Sequence, residues 1–363
     1  MSSIVTFLGK GGTGRTISAI ATAKKLALEG KKVLLMGQDS SPGFGLTLGI
    51  TPPTTEPQEI GANFAVMQLN SAVLLENSWE QVKQIEAQYL RSPILKQVYG
   101  QELGILPGMD RALALNALRE YYQSNQYDVI VYDGTGGIDT LRMFGLPEIL
   151  GWYFRRFRGI FTESDIVKTL SPFVQPVTSA ILNTSWSAND LSGNADNPAT
   201  QMLEDGIAAL HQGNVVAYLV TTPDPVAIAT AKYLWGSAQQ VGLGIGGVLL
   251  NRGSAIADEF ESLSITSIPN YDGRNWQPLI DALPRMGGNV EIPKATEFIM
   301  AERKIKVFLP GFNKQDVKLT QYGPEITIEA GDQRRNITLP PAWQGSSVTG
   351  AKFTNGYLEV TVG

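Results

Sequence analysis

The chain has 363 residues, 43% hydrophobic and 17% charged, with a net charge of -5 and a sequence pI of about 5.2. That length suits two domains, and the acidic balance argues against a nonspecific nucleic-acid binder, so no nucleic-acid partner is expected. It contains no cysteine and one histidine, His211, which excludes disulfides, iron–sulfur clusters, cysteine-held zinc, thiol catalysis and any multi-histidine metal site.

Apolar runs at 4–8, 33–36, 64–69, 129–132, 215–220 and 247–250 predict buried strands. Their hydrophobicity is continuous rather than alternating, which points to strands covered on both faces. The expected fold class is therefore α/β, a doubly wound and mostly parallel sheet. Between the first two runs, the Ala-rich stretch 16–30 reads as a crossover helix that stops at Gly30. Two stretches interrupt the alternation, at about 79–122 and 147–206, and are expected to form helical insertions. The second opens on GWYFRRFRGIF and passes through the polar run SWSANDLSGNADNPAT. The first domain is expected to span 1–300. Beyond it, KVFLP, DVKLT, EITIEA, RNITLP and GYLEVTV alternate apolar and polar residues between Gly, Pro and Asn breaks. This predicts a small antiparallel β-sandwich over 303–363. No basic-then-apolar leader and no apolar run of spanning length are present, so a cytoplasmic protein without a transmembrane segment is expected.

Three chemical elements point to a nucleotide. GKGGTGRT, residues 9–16, joins the first strand to the first helix as a P-loop would. Its glycines let backbone N–H groups face one concavity at a helix N-terminus, and Thr16 is placed to ligate Mg²⁺. Asp133 ends the strand VIVY ahead of GTGG and is the expected second metal group, acting through water. Asp39 follows the second strand in GQDSSPG, at the edge where ligands of doubly wound sheets bind, and is the candidate to orient or deprotonate water. His211, near a helix end, reads as structural.

Taken in order, these motifs resemble the ArsA family, which comprises the arsenite-pump ATPase and its relatives that target tail-anchored membrane proteins, within the deviant-Walker P-loop class. GKGGTGRT is similar to the family's GKGGVGKT, and Asp39 in GQDSSP falls on its first-switch Asp. YDVIVYDGTGGIDTLR resembles the second-switch block, with Asp133 leading. LPGMDRALAL, VTTPDPVAIATAKYL and GVLLNR match later segments, the last placing Asn251 on the family's adenine-reading Asn. The resemblance implies ATP and Mg²⁺ as cofactors, ATP hydrolysis, and a homodimer in which Lys10 reaches the partner's nucleotide. It gives catalytic roles to Lys10, Arg15 and Asp39. Gly11, Gly12, Thr13, Gly14, Arg15, Thr16, Ile17 and Asn251 bind the nucleotide, and Thr16 and Asp133 hold the metal.

The departures are specific. Arg15 stands where the loop lysine is usual, keeping the charge but replacing a slim ammonium with a planar fork. Arg111 replaces a usual Glu, and Gly136-Gly137-Ile138-Asp139 replaces most of the second-switch consensus. No cysteine pair can hold zinc or arsenite. Trp152, Phe154, Phe157 and Phe161 are candidates for an apolar or membrane-protein client surface, as in the family's targeting members.

The last strands resemble the α-crystallin domain of small heat-shock proteins, through VFLPGFNKQDVKLT, NITLPP and AKFTNGYLEVTV. The I-x-I tail of that family is missing, so large oligomers are not expected. Two functions follow: a homodimeric ATPase that chaperones or targets apolar segments, or a nucleotide-binding scaffold or holdase with little turnover. A partition- or septum-type ATPase is a third, lacking an amphipathic anchor.

Overall fold

The computed structural model describes residues 2–50, 54–86, 97, 99, 102, 104–163, 198–253, 256, 259–260, 262–287 and 293–363. An eight-stranded sheet forms its centre, built from β1 (Ser3–Leu8), β2 (Val33–Gly37), β3 (Gln58–Gly61), β4 (Phe64–Gln68), β5 (Val129–Asp133), β6 (Val215–Thr221), β7 (Gly244–Asn251) and β8 (Ile265–Ile268). The order is β3-β4-β2-β5-β1-β6-β7-β8, all parallel except β3. The six expected strands are the six inner ones and are buried almost throughout. The two edge strands, β3 and β8, escape a search for apolar runs because they are half exposed.

Helices cover both faces, because successive strand residues point to opposite sides. On one face Val5, Phe7, Leu35 and Val131 meet Ala19, Ile20 and Leu26 of α1 (Arg15–Leu28). Leu8, Met36, Ile130 and Tyr132 face the other way. There they meet Leu118 of α4 (Met109–Ser124), Phe144 of α5 (Ile138–Glu163), Leu210 of α6 (Pro198–His211) and Trp235 of α7 (Pro225–Gln240). The short α2 (Gly43–Leu48) and α3 (Ser71–Glu86) follow β2 and β4, and α8 (Gln277–Ala282) packs beside α1.

The helical stretches begin earlier than read from sequence. α3 starts at Ser71 rather than near residue 79. α5 starts at Ile138 and runs through Pro147, so the second insertion grows without a break out of the second-switch segment. A proline inside a helix removes one N–H bond and crowds the preceding turn, but tertiary packing here overrides that local preference. Gly206 of α6 sits against the Pro147 ring. The polar run from 185 to 197 lies outside the described residues.

The C-terminal strands form two antiparallel sheets. The first has the order β14-β15-β10-β9, from β9 (Thr296–Ile299), β10 (Lys304–Phe308), β14 (Val348–Thr354) and β15 (Tyr357–Val362). The second is β11 (Val317–Tyr322), β12 (Glu325–Ala330) and β13 (Gln333–Thr338). Alternation puts Ile305, Val307, Ile326, Ile328, Leu358 and Val360 into a shared core. β9 pairs with β10, so this sheet begins before residue 300.

The sandwich docks on α7 through the turn Pro310-Gly311-Phe312. A Cβ at Gly236 of α7 would collide with the Pro310 carbonyl. Tyr233 meets the Phe312 ring edge-on at 5.6 Å, and Trp235 meets Phe308 at 5.7 Å. Arg335 of β13 donates to the Gln239 carbonyl at 2.9 Å.

Candidate functional site

β1, β2, β5 and β7 end at one edge of the sheet. The strand order reverses direction there: the crossover from β1 goes to β2 on one side, and that from β5 goes to β6 on the other. The parallel register sets Gly37 beside Asp133, so the segments carrying Asp39 and Asp133 emerge together.

The loop after β1 is pinned at both ends. The Thr13 hydroxyl donates to the Lys10 carbonyl at 2.8 Å, and the Gly9 N–H donates to the Gly136 carbonyl at 2.9 Å. Gly14 caps α1 in the left-handed region at φ 102°, where a Cβ would lie 2.5 Å from the Asn251 amide nitrogen. Only glycine satisfies both conditions. Lys10, Gly11 and Gly12 are exposed, while Thr16 and Ile17 are half-buried.

Asp133 is 6% exposed. Burial raises its pKa to about 6, the Thr16 hydroxyl and the Arg15 charge pull it back, and the Asp39 charge pushes it up. Thr16, Arg15, Asp133 and Asp39 thus share one electrostatic environment. Asp39 itself is exposed; its carboxylate accepts from the Ser41 N–H at 2.9 Å, and its carbonyl accepts from Gln68 at 2.6 Å.

Arg15 does not point freely into solvent. Its guanidinium donates to the Thr135 carbonyl, in the loop that follows Asp133. Burial lowers its pKa, opposed by the Asp133 charge. Gly136 has φ 66°, and a Cβ there would overlap the guanidinium. Arg15 therefore ties the loop after β1 to the segment that follows Asp133.

Asn251 sits beneath the loop, 4% exposed, and donates from its amide nitrogen to the Thr13 carbonyl at 2.9 Å. Its Oδ1 is buried without a partner.

Some participants escaped the sequence reading. Gln38 accepts from the Tyr132 hydroxyl at 2.7 Å and the Thr135 N–H at 3.3 Å, joining the segments that follow β2 and β5. The Thr140 hydroxyl accepts from the Gly136 N–H at 2.9 Å. Adjacency to Asp39 was the one available signal for Gln38. The two departures at Arg111 and Asp139 meet each other: Arg111 Nη2 lies 2.9 Å from an Asp139 carboxylate oxygen.

Among the client-surface candidates, Trp152 is half-buried. Its indole N–H donates to Glu325 of the sandwich at 3.2 Å, and its ring meets Tyr153 at 5.0 Å. Phe154, Phe157 and Phe161 lie on α5, and their side chains fall outside the described part of the structure.

A family model described as anion-transporting ATPase, ArsA type, matches residues 2–265. The chain belongs to the ArsA ATPase family. A second model, the HSP20-like domain found in ArsA proteins, matches residues 301–362, which covers β10 to β15. A Chlorobaculum tepidum protein, provisionally named an arsenical pump-driving ATPase, is 31% identical over 98% of this chain and 95% of its own. Protein Rv2184c of Mycobacterium tuberculosis is 28% identical over 98% of this chain and 94% of its own. An ATPase ASNA1 homolog of Cryptosporidium parvum is 27% identical over 39% of this chain and 37% of its own.

In this ArsA-family ATPase the residues fit a nucleotide. Gly11 and Gly12 of the loop have open space beside them, and the buried Asn251 Oδ1 is an acceptor without a partner. Thr16 and Asp133, whose carboxyl the Thr16 hydroxyl influences, offer oxygen ligands of the kind a hard divalent cation takes. No described helix is long and apolar enough to cross a membrane.

Proposed function

We propose that this ATPase works as a Mg²⁺-dependent homodimer whose nucleotide cycle holds and releases an apolar segment of a client protein. The observation that carries this reading is the convergence of Arg15, Thr16, Asp39 and Asp133 at one sheet edge. The N–H groups of Gly11, Gly12, Thr13, Gly14 and Ile17 cradle phosphate oxygens at the start of α1. Arg15 keeps further N–H groups for the β- and γ-phosphates. Thr16 and Asp133 hold Mg²⁺, which when bound neutralises phosphate charge. Asp39 takes a proton from the water that attacks the γ-phosphorus as the bond to ADP breaks. Asn251 Oδ1 accepts from the adenine amino group. Lys10, exposed at the loop, reaches the partner's nucleotide.

The client reading is supported by the helix that leaves the second switch. α5 starts four residues after Gly134 and carries Arg142, which pairs with Asp332 of the sandwich at 2.5 Å, and Trp152, which reaches Glu325. A change at Thr135 and Gly136 thus has a direct mechanical route to the HSP20-like domain. The aromatic residues in the sequence of α5 support an apolar client.

A second reading is a nucleotide-held scaffold with negligible turnover. The bond from Arg15 to the Thr135 carbonyl favours it, because that bond competes with phosphate.

Phosphate release with ATP and Mg²⁺, measured beside bound nucleotide, separates the two. Turnover in the native chain, falling roughly 10²–10⁴-fold in Asp39→Asn with ATP binding kept, supports a cycling enzyme. ATP retention without turnover, with hydrolysis appearing in Arg15→Lys, makes the protein a scaffold. A mass of one 39.3 kDa chain under ATP, measured by light scattering, would sink the homodimer. Equal binding of an apolar helical peptide with ATP and with ADP would sink the client cycle.

A further inference from the structure

A cavity with several polar groups in its wall lies at the opposite edge of the central sheet from the phosphate loop. It has a volume of about 250 Å³ and opens where β6 and β7 begin, between the ATPase domain and the sandwich. His211 from the end of α6, Gln239 from the last turn of α7, Lys294 and Thr296 from the chain entering the sandwich, and Arg335 from β13 contribute to its wall.

The polar groups here are under-used. Arg335 is 8% exposed, and it spends one N–H on the Gln239 carbonyl. It makes no ion pair with a described carboxylate. Glu148, whose charge acts on both Arg335 and His211, lines a neighbouring cavity instead. Gln239 is 2% exposed and its side-chain NH₂ has no partner; the buried Thr296 hydroxyl has none either. Capping the C-terminus of α7 accounts for one N–H of Arg335. It leaves the Gln239 amide and the Thr296 hydroxyl unexplained, and buried polar groups are normally satisfied.

The wall is also one-signed. Arg335 and Lys294 are cationic, burial lowers the His211 pKa, and among the described residues no Asp or Glu lines the cavity. A buried guanidinium beside amide and hydroxyl donors is the donor set that grips two oxygens of a planar or tetrahedral oxyanion. The volume suits a small metabolite and falls short of a nucleotide's needs.

We propose that this interdomain cavity binds a small anionic metabolite through a carboxylate or phosphoryl group. Arg335, Gln239 and Thr296 hold the oxygens, and Lys294 attracts the ligand at the mouth. Because Gln239 lies in the last turn of α7 and Arg335 belongs to the sandwich, the bound anion clamps the two domains together.

The test uses the full chain saturated with MgADP, so that the phosphate loop is filled. Inorganic phosphate and succinate are titrated separately by calorimetry and by thermal shift. The expected result is saturable binding of one anion per chain by one or both probes. A stronger response to succinate assigns a carboxylate ligand, and a stronger response to phosphate a phosphoryl one. Affinity should fall at least tenfold in Arg335→Gln and several-fold in Lys294→Gln and Thr296→Val. Arg335→Gln risks undocking the sandwich, so the other two variants decide if it melts early: Lys294 is exposed and the Thr296 hydroxyl has no protein partner to lose. Absence of saturable binding by both probes overturns the proposal. So does binding unchanged in Lys294→Gln and Thr296→Val.

Discussion

The two ends of the central sheet use polar residues differently. At the phosphate-loop edge, polar side chains follow directly from strand ends and meet one another over short loops: Arg15 reaches Thr135, Gln38 reaches Tyr132, and Thr140 reaches Gly136. At the sandwich edge, Arg335, Gln239 and Thr296 arrive from three distant segments and leave hydrogen-bonding capacity open. The first edge has the organisation of a machine whose parts restrain each other before any ligand is present. The second depends wholly on two domains being in register. Local order can be built by a glycine loop and a strand end, whereas interdomain polar contacts exist only after both cores have formed.

The largest expected effect sharpens the first half of that contrast, by showing that the loop edge is held at a cost to stability. Asp133 is pushed from an ordinary 3.8 to about 6, chiefly by burial. The folded chain therefore binds this proton more readily than the unfolded one. Its contribution to stability is fully present below about pH 4 and is lost as pH rises through about 6, a swing of about 3 kcal/mol. Denaturant melts of nucleotide-free protein across pH 4–7 should show that loss, and Asp133→Asn should remove the slope and be more stable at pH 7. A variant that keeps the wild-type slope would assign the titration elsewhere.

A smaller effect is expected at the sandwich edge. Gly236→Ala places a methyl group against the Pro310 carbonyl, and the docking turn must move away. Overpacking of this kind costs about 1–3 kcal/mol. Hydrogen exchange should show loss of protection in β10 and in the last turns of α7, with β1 and β5 unaffected. Uniform loss across both domains would mean that the two edges are not separate units after all.

The smallest belongs to Arg142→Ala. Its partner Asp332 lies 2.5 Å away, but both side chains are nearly half exposed, at 47% and 46%. Pairs of that exposure contribute roughly 0.2–1 kcal/mol. Urea melts should barely shift. If the route along α5 couples the edges, ATP turnover should change more than stability does; matching small changes in both would leave the pair a surface contact.

The legibility of the fold follows the same division. The six inner strands were readable because parallel strands buried on both faces must be continuously apolar. β3 and β8 were not, since a half-exposed edge strand of four residues leaves no distinctive pattern. In the sandwich, alternation in EITIEA and GYLEVTV announced one buried face per strand, while β9, TEFI, carried no comparable alternation.

The family and the ATPase fold were determined by the sequence alone, because strand, glycine loop and helix are neighbours along the chain and their pattern is local. Only the tertiary structure decided that Arg15 binds the Thr135 carbonyl and that Arg111 pairs with Asp139. It alone placed Asn251 beneath the loop and gathered Arg335, Gln239 and Thr296 around one cavity. Each of these contacts joins residues far apart in sequence, and their relative position is set by strand order and domain docking, which no local pattern of residues specifies.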